Sequence, residues 1–358
     1  MSNPKVVVVG AGVVGLSAAY ILAQKGYKVV VISEYLPNDS YKAPEYTSLW
    51  AGAHFRPFPS NSESDVRESN YTRETLKFFK KLSTEHPEST IQFVKGSDWV
   101  EAPSDGYKNL DFNYYKDLDN FKVVTGDSSL PKGVNFAASY TTWVINAPLY
   151  LQFLFMQLRD HLGVSFIKRR LNSLKEAEQL SGAKYIVNAT AFGLQYESGY
   201  DPLTYPIRGQ ILLLKIPSDN RYRNETVTHQ GADGNWTYVI NRPFDGGCVL
   251  GGTKQIGDRD PVPRESEIKA IKDRARTLFP ELFVKETENG EKDIDIIKSY
   301  VGFRPARKGG SRVDVEKFGS KVIAHAYGIG GMGYESSYGM ALHAIKLLED
   351  AITSQSKL

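Results

Sequence analysis

The first 33 residues carry an alternation of apolar and glycine-containing stretches that predicts a strand, a helix and a second strand. Residues 6–9 are four valines, a run typical of a strand buried on both faces of a parallel sheet. Residues 16–25 place apolar side chains at helical spacing, and Gly26 favours the end of that helix. Residues 28–32 return to β-branched side chains, so the segment predicts a βαβ unit.

Downstream of this unit the pattern changes and predicts elements of another domain. Residues 35–60 are rich in proline, serine and aromatic side chains, which indicates a loop. The next predicted elements are a helix at 66–82, short strands and tyrosine-rich turns at 91–123, a helix from 145 to about 162, and strands at 164–167 and 185–190. The strand at 185–190 ends in small residues and is expected to return to the first sheet.

From residue 208 to about 298 the alternation is typical of antiparallel strands, interrupted by a predicted helix at 266–278. A strand at 321–325, a glycine-rich loop and a helix from about 336 to 352 are predicted to follow.

The sequence Asp245-Gly246-Gly247 predicts a hairpin turn between strands at 237–241 and 248–253. With the turn centred near Asp245-Gly246, Tyr238 faces Thr253 or Lys254, and facing residues project from the same side of a sheet. We therefore expect Lys254 to share a pocket with Tyr238. A shift of one residue would turn it to the other face, and a lysine that follows a strand is more often solvated.

Composition narrows the function classes. The 358 residues include 44 basic and 41 acidic ones, a net charge of +3, and no dense basic run, so we expect no nucleic-acid partner. Cys248 is the single cysteine, which excludes an internal disulfide and a paired-cysteine metal site. The six histidines are scattered without ligand spacing, so no metal is expected.

The two ends of the sequence bear on location. The N-terminal apolar run has no charged segment before it and is too short to span a membrane, so we expect a soluble protein without a membrane partner. Ser356-Lys357-Leu358 matches the C-terminal address for peroxisomes, which predicts a peroxisomal import receptor as partner. The pattern leaves open whether the chain forms a homo-oligomer.

A dinucleotide fingerprint lies in the βαβ unit. Gly10 would allow the tight turn, Gly12 the approach of a pyrophosphate, and Gly15 the packing of helix on strand. The helix N-terminus supplies N–H groups and positive partial charge to the phosphates. Glu34, at the end of the second strand, would accept hydrogen bonds from ribose hydroxyls and disfavours NADP. NAD and FAD both fit this unit.

The sequence resembles the FAD-dependent D-amino-acid oxidases, including the D-aspartate oxidases, along nearly its whole length. The motifs that carry the resemblance, in family order, are VVVVGAGVVGLSAAYIL at the N-terminus, TSLWAGAHF (47–55), WVINAPLYL (143–151), VNATAFG (187–193), YPIRGQ (205–210), TYVINR (237–242), VGFRPARKGG (301–310) and HAYGIGGMGYESSYGMA (325–341).

The resemblance implies an α/β fold in which a Rossmann-like FAD-binding domain is interrupted by a substrate domain with a mixed, largely antiparallel curved sheet. The FAD-binding domain would comprise residues 1–55, 143–195 and 300–358, and the substrate domain residues 56–142 and 196–299. The resemblance further implies non-covalent FAD and residence in the peroxisome.

The cofactor residues implied by the fingerprint and the resemblance extend over the whole chain. They are Gly10, Ala11, Gly12, Val13, Val14, Gly15, Glu34, Thr47, Ser48, Ala51, Gly52, Ala53, Leu171, Thr190, Gly330, Gly333, Tyr334 and Glu335. The small residues 51–53 would let backbone lie against the flavin ring, although a plain tight turn also explains them. The helix from about 336 would direct its N-terminus at the flavin and stabilise negative charge on the reduced ring.

Two positions each allow two roles. Arg208 would contact the flavin or form an ion pair. Glu335 stands where some family members carry a neutral residue. A carboxylate there would oppose the negative charge of reduced flavin, or it would cap a helix and face away.

The substrate residues implied by the resemblance are Arg304, Tyr238, Gly331, Lys254 and His54. Arg304 would bind the α-carboxylate through two parallel hydrogen bonds, Tyr238 would contact the same carboxylate, and Gly331 would offer its carbonyl to the amine. Elsewhere such an arginine would be a surface residue and such a tyrosine a half-buried strand residue. Lys254 occupies the position that is arginine in animal D-aspartate oxidases, and His54, Arg56 and His229 could add positive potential.

The sequence therefore predicts oxidative deamination of acidic D-amino acids by hydride transfer to FAD, with dioxygen as second substrate and hydrogen peroxide as product. The alternative is a broad-specificity oxidase of neutral D-amino acids. From other classes, a non-catalytic flavin-binding protein and an NAD-dependent dehydrogenase are the alternatives.

Overall fold

The computed structural model describes residues 4–40, 43–124 and 130–355. The helices are α1 Val13–Gln24, α2 Glu63–Glu85, α3 Asp105–Lys108, α4 Phe112–Tyr115, α5 Ala147–Met156, α6 Leu174–Ser181, α7 Glu265–Leu278 and α8 Ser337–Gln355. The strands are β1 Lys5–Val9, β2 Lys28–Ser33, β3 Gln92–Val100, β4 Lys122–Val124, β5 Phe136–Val144, β6 Ser165–Lys168, β7 Tyr185–Asn188, β8 Thr204–Lys215, β9 Glu225–Gln230, β10 Trp236–Asn241, β11 Cys248–Gly251, β12 Gln255–Ile256, β13 Lys285–Glu286, β14 Lys292–Asp293, β15 Asp295–Arg307, β16 Val315–Phe318 and β17 Lys321–His325.

The first sheet has six strands in the order β16-β17-β7-β1-β2-β6. Strand β1 pairs in parallel with β2 and with β7, and its four valines are buried between neighbours on both sides. The valine run therefore forms the central strand that its pattern predicted. Helices α1 and α8 pack against each other on this sheet, so the two ends of the described chain meet in one core.

The second sheet has nine strands and is largely antiparallel. Its main path runs β12-β8-β11-β10-β9-β3-β5-β4, and β15 pairs with the long strand β8. The pairing of β3 with β9 is parallel, so the sheet is mixed. The mixed α/β architecture agrees with the prediction, while the proposed domain boundaries stay a prediction.

The predicted hairpin exists, but its predicted register is wrong. Tyr238 on β10 pairs with Gly251 on β11, not with Thr253 or Lys254. Phe244 and Asp245 both take left-handed backbone, with φ of 58° and 52°, so they are the two central residues of the turn. The sequence pattern places the centre one residue later, at Asp245-Gly246, because glycine is the usual occupant of such positions.

Helix α2 begins three residues before the predicted range 66–82 and ends three residues after it. The Ser62 side chain caps it by accepting a hydrogen bond from the Asp65 backbone N–H at 3.1 Å, and Glu63 and Asp65 add negative charge to its first turn. The prediction followed the apolar stripe alone and omitted this polar cap.

Candidate active site

A cavity of about 730 Å³ opens at the carboxyl ends of the parallel strands, where ligands bind in sheets of this kind. Most of the predicted cofactor residues line it. They are Gly10, Ala11, Gly12, Val13, Val14, Glu34, Thr47, Ser48, Ala51, Leu171, Thr190 and Tyr334. The structure thus brings together residues that lie more than 300 positions apart in the sequence.

The turn at the start of α1 depends on glycine. Gly10 has φ of +105°, and a Cβ there would lie 2.4 Å from the carbonyl oxygen of Ala189. Gly15 lies outside the cavity, and a Cβ on it would meet the carbonyl oxygen of Gly10 at 1.9 Å. The first glycine shapes the cavity wall, and the second lets α1 pack against that turn.

The chemistry of this cavity fits the adenosine and pyrophosphate part of FAD. The N-terminus of α1 faces it, with Gly12 as an N-cap residue that has no side chain, while the Val13 N–H donates to the Ser48 hydroxyl at 3.1 Å. Arg169 and Arg170 add positive charge at the wall. Glu34 remains available for ribose hydroxyls, since its contact with Arg170 is an exposed ion pair at 3.7 Å.

A second cavity of about 860 Å³ shares Thr47, Ala51 and Tyr334 with the first. A cofactor that extends from the first cavity would therefore enter the second beside these residues. The remaining predicted residues in its wall are Gly52, Ala53, His54, Tyr238, Lys254, Arg304, Gly330, Gly331 and Glu335. Gly333 lies outside both cavities as the described residues outline them.

Arg304 lies on β15 directly over Gly209 of β8. A Cβ on Gly209 would lie 2.5 Å from Nη1 of Arg304, so the absence of a side chain there makes room for the guanidinium. Nη1 donates a hydrogen bond to the carbonyl oxygen of Thr253 at 3.1 Å. This single backbone contact orients the half-buried guanidinium in the cavity wall.

Tyr238, on β10, contacts the segment that contains Thr253. Its ring packs over Gly251 and Gly252, where a Cβ would lie 2.1 Å and 2.8 Å from the tyrosine ring and hydroxyl. Arg304 and Tyr238 thus both contact residues 251–253, immediately before Lys254. The arrangement can hold one carboxylate between a guanidinium and a phenol.

Lys254 lines the second cavity with an exposed side chain. It reaches the wall by a different route from the predicted one. Gly252 is still bonded to β10, its N–H donating to the carbonyl oxygen of Trp236 at 3.1 Å; the Thr253 N–H then donates to the carbonyl oxygen of Gln210 at 3.2 Å, and β12 pairs with β8. In the described part of the chain, its ammonium has neither a hydrogen bond nor an ion pair to protein.

His54 lines the cavity as a neutral side chain. Burial, together with the charge of Arg56, lowers its pKa to about 3, and Nδ1 lies 2.9 Å from the Thr226 hydroxyl. It therefore cannot supply the positive potential considered for it. His229 lies on β9 beside Glu101, at 3.1 Å, and not in the cavity wall.

The structure gives Glu335 and Arg208 their surroundings. Glu335 lines the second cavity, and its Oε1 accepts a hydrogen bond from the Arg56 backbone N–H at 3.1 Å. Burial raises the pKa of Glu335 to about 8, which reduces the negative charge it presents near neutral pH. Arg208 is fully buried and forms an ion pair with Glu267 at 2.7 Å, which favours the ion-pair alternative.

Arg242 is a residue of this site that the sequence did not single out. It is buried and donates hydrogen bonds to the carbonyl oxygens of Leu49, Ala51 and Gly52 at 3.2, 2.7 and 3.1 Å. These contacts hold the loop of small residues that separates the two cavities. An arginine directly after a buried strand was the one available signal, and it did not indicate a partner almost 200 residues away.

The described residues contain no group of three or more His, Cys, Asp or Glu side chains that could hold a metal ion. Within the same residues, no helix is long and apolar enough to cross a membrane.

Comparison with known proteins agrees with this geometry. A family model described as FAD dependent oxidoreductase (DAO) matches residues 5–347. A D-aspartate oxidase from Talaromyces thermophilus is 32% identical over 369 residues, with 96% of this chain and 95% of the relative covered. A D-amino-acid oxidase from Schizosaccharomyces pombe is 35% identical over 348 residues, with 96% and 95% covered.

Among solved structures, glycine oxidase from Bacillus cereus has a TM-score of 0.67 at 17% identity and covers 98% of this chain and 96% of its own. L-proline dehydrogenase from P. horikoshii has a TM-score of 0.70 at 17% identity, with 98% and 94% covered. These likenesses confirm the predicted fold class, and the family match confirms FAD as the cofactor. Because the family model spans most of the sequence and both relatives exceed 30% identity over nearly all of it, the chain belongs to the DAO family of FAD-dependent oxidoreductases.

Proposed function

We propose that this protein oxidises acidic D-amino acids, D-aspartate and D-glutamate, to the 2-oxo acid, ammonia and hydrogen peroxide. The observation that carries the proposal is the unpaired ammonium of Lys254 in the cavity wall that also contains Arg304 and Tyr238. Relatives named D-aspartate oxidase support it, at 32% identity in Talaromyces thermophilus and 30% in Cryptococcus neoformans. The Schizosaccharomyces pombe relative is named D-amino-acid oxidase, so broad specificity is the alternative function.

Orientation is the main contribution of the protein to the reaction. Arg304 and Tyr238 hold the α-carboxylate, and the Gly331 carbonyl accepts a hydrogen bond from the neutral substrate amine. Lys254 pairs with the side-chain carboxylate, which leaves the α-hydrogen directed at the junction of the two cavities. When bound, FAD would be held by the residues of the first cavity and would supply a two-electron acceptor for that hydrogen as hydride, with dioxygen as the final oxidant, reduced with two protons to hydrogen peroxide. Water then hydrolyses the released imino acid.

A peroxisomal location is part of the proposal. Ser356-Lys357-Leu358 lies outside the described residues, and its sequence supports import through the receptor that reads this tripeptide. Catalase in that compartment would remove the peroxide.

The proposed function is tested by a substrate panel on the purified, FAD-loaded protein. We expect peroxide formation with kcat/KM for D-aspartate and D-glutamate above that for D-alanine. The same samples should show flavin absorbance that D-aspartate bleaches under anaerobic conditions. A higher kcat/KM for D-alanine would contradict the acidic preference and favour the broad-specificity alternative.

Replacing Lys254 by alanine should reduce the preference for D-aspartate over D-alanine about tenfold to a hundredfold. The reason is that a charge-assisted contact contributes roughly 1.5 to 3 kcal/mol once bound substrate and FAD shield the side chain of Lys254, which is exposed in the structure, from water. The measurement is the ratio of kcat/KM values for the two substrates. Lys254→Arg is the matched control, because it keeps the cation and should retain most of the preference. An unchanged ratio in Lys254→Ala would show that this lysine does not select the substrate.

A further inference from the structure

We propose that Arg56 is a second specificity-determining residue, whose guanidinium binds the side-chain carboxylate of an acidic substrate on the inner side of the cavity. This inference rests on the proposed function and deepens it. Arg56 lies three residues after the loop of small residues between the cavities, and it lines the second cavity together with Arg304, Tyr238 and Lys254.

The guanidinium of Arg56 is held in place but keeps donors available. Its Cζ lies 4.6 Å from the centre of the Trp236 ring, and Nη1 donates to the Tyr107 hydroxyl at 2.9 Å and to the Pro57 carbonyl oxygen at 3.3 Å. Within the described chain both hydrogen bonds come from Nη1. Nε and Nη2 are therefore free for the parallel pair of bonds that a carboxylate accepts.

The position of Arg56 relative to Tyr238 follows from strand geometry. Trp236 and Tyr238 are two residues apart on β10, so their side chains project from the same face at a spacing of about 6.6 Å. Tyr238 is the proposed contact of the α-carboxylate, and the guanidinium of Arg56 lies over the ring of Trp236. Arg56 and Tyr238 therefore lie on one face of β10 at neighbouring positions, an arrangement that suits the two carboxylates of a four- or five-carbon amino acid.

The carboxyl groups nearest to Arg56 do not occupy its guanidinium. Among the described residues, buried Asp98 interacts with Arg56 through charge but without a hydrogen bond, and Glu335 accepts a hydrogen bond from the backbone N–H of Arg56 and not from its guanidinium. Burial raises the pKa of Asp98 to about 7 and that of Glu335 to about 8, so near neutral pH they offset the arginine charge only in part. A partly desolvated cation of this kind would also disfavour apolar substrates.

The competing explanation is that Arg56 serves only as an internal counter-ion for Asp98 and Glu335. That role concerns stability and the cofactor loop, and it predicts equal effects on acidic and neutral substrates. The two explanations therefore differ in the ratio of the activity on acidic substrates to the activity on neutral substrates. They do not differ in the total loss of activity.

The experiment compares wild type, Arg56→Gln and Arg56→Lys as full-length, FAD-loaded enzymes. We expect the D-aspartate to D-alanine ratio of kcat/KM to fall about tenfold in Arg56→Gln, with partial recovery in Arg56→Lys. Binding of succinate, which has a distal carboxylate, should weaken about tenfold in Arg56→Gln. Binding of butyrate, which has a methyl group in that place, should weaken far less. Titration calorimetry measures both.

If Arg56→Gln does not fold, the double variant Arg56→Gln, Asp98→Asn takes its place, because it removes one positive and one negative charge from the buried group. It is compared with the single variant Asp98→Asn. Equal losses on both substrates and on both ligands would overturn the inference and leave the proposed function intact. A wild-type preference for D-alanine would overturn both together. A lower ratio with selective loss of succinate binding supports the role of Arg56.

Discussion

Replacing Arg304 by methionine is expected to lower kcat/KM for every D-amino acid about a thousandfold. The guanidinium lies in the cavity wall above Gly209, oriented by one hydrogen bond to the Thr253 carbonyl oxygen. Removing one partner of a desolvated, doubly hydrogen-bonded charge pair costs about 3 to 5 kcal/mol, which corresponds to roughly 10² to 10⁴ in rate. The loss should be similar for acidic and neutral substrates, because all of them carry the α-carboxylate.

Steady-state kinetics on D-aspartate and D-alanine measure this effect, and FAD content together with the thermal unfolding midpoint serves as the control for folding. Arg304→Lys should recover only part of the activity, since an ammonium binds a carboxylate as a point charge without fixing its rotation. Activity of Arg304→Met within tenfold of wild type would mean that another group anchors the α-carboxylate.

The Asp98→Asn variant is expected to gain stability relative to the wild type as the pH rises. Burial raises the pKa of Asp98 in the folded protein to about 7, against an ordinary value of 3.8. Folded protein therefore binds more protons than unfolded protein between these values, so the stabilising effect of the neutral carboxyl is complete below pH 3.8 and is lost as the pH rises through about 7. Between pH 5 and pH 8 the ionisation of Asp98 lowers the unfolding free energy of the wild type by about 3 kcal/mol. The variant has no carboxyl group at this position and does not lose this stability.

Urea unfolding of FAD-saturated protein at pH 5, 6, 7 and 8 gives the difference between the two curves. Asp105→Asn is the matched control, because the Asp105 side chain is 90% exposed and its replacement should leave the pH dependence as in the wild type. A constant difference between Asp98→Asn and wild type across this range would show that Asp98 is ionised in the folded protein throughout.

The hairpin before Lys254 illustrates why neighbouring residues alone were insufficient to predict which residue faces Tyr238. Phe244 and Asp245 adopt left-handed backbone in the turn, a choice that depends on how β10 and β11 pair with the rest of the sheet. The predicted facing pair was therefore wrong by two residues or more. Lys254 still lines the cavity, because the chain beyond Gly252 bonds to β8 and turns along it.

The sequence by itself determined the βαβ unit and, through its ordered motifs, the family, the fold class and the cofactor. The left-handed backbone of Gly10 and its contact with Gly15 depend on residues close in sequence, although Gly10 also packs against Ala189, and a buried parallel strand requires an unbroken apolar run. Local pattern was sufficient for these features because the interactions that form them are mostly local.

The tertiary structure alone decided the surroundings of the site residues. Arg242 holds a loop that precedes it by almost 200 residues, and Arg56 stacks on Trp236 of strand β10, 180 positions further along the chain. His54 and Asp98 are neutral or partly neutral because many segments of the chain exclude water from them together. Burial and long-range hydrogen bonding depend on the whole packed chain, so the charge that the cavity presents to a substrate could be determined only from the folded protein.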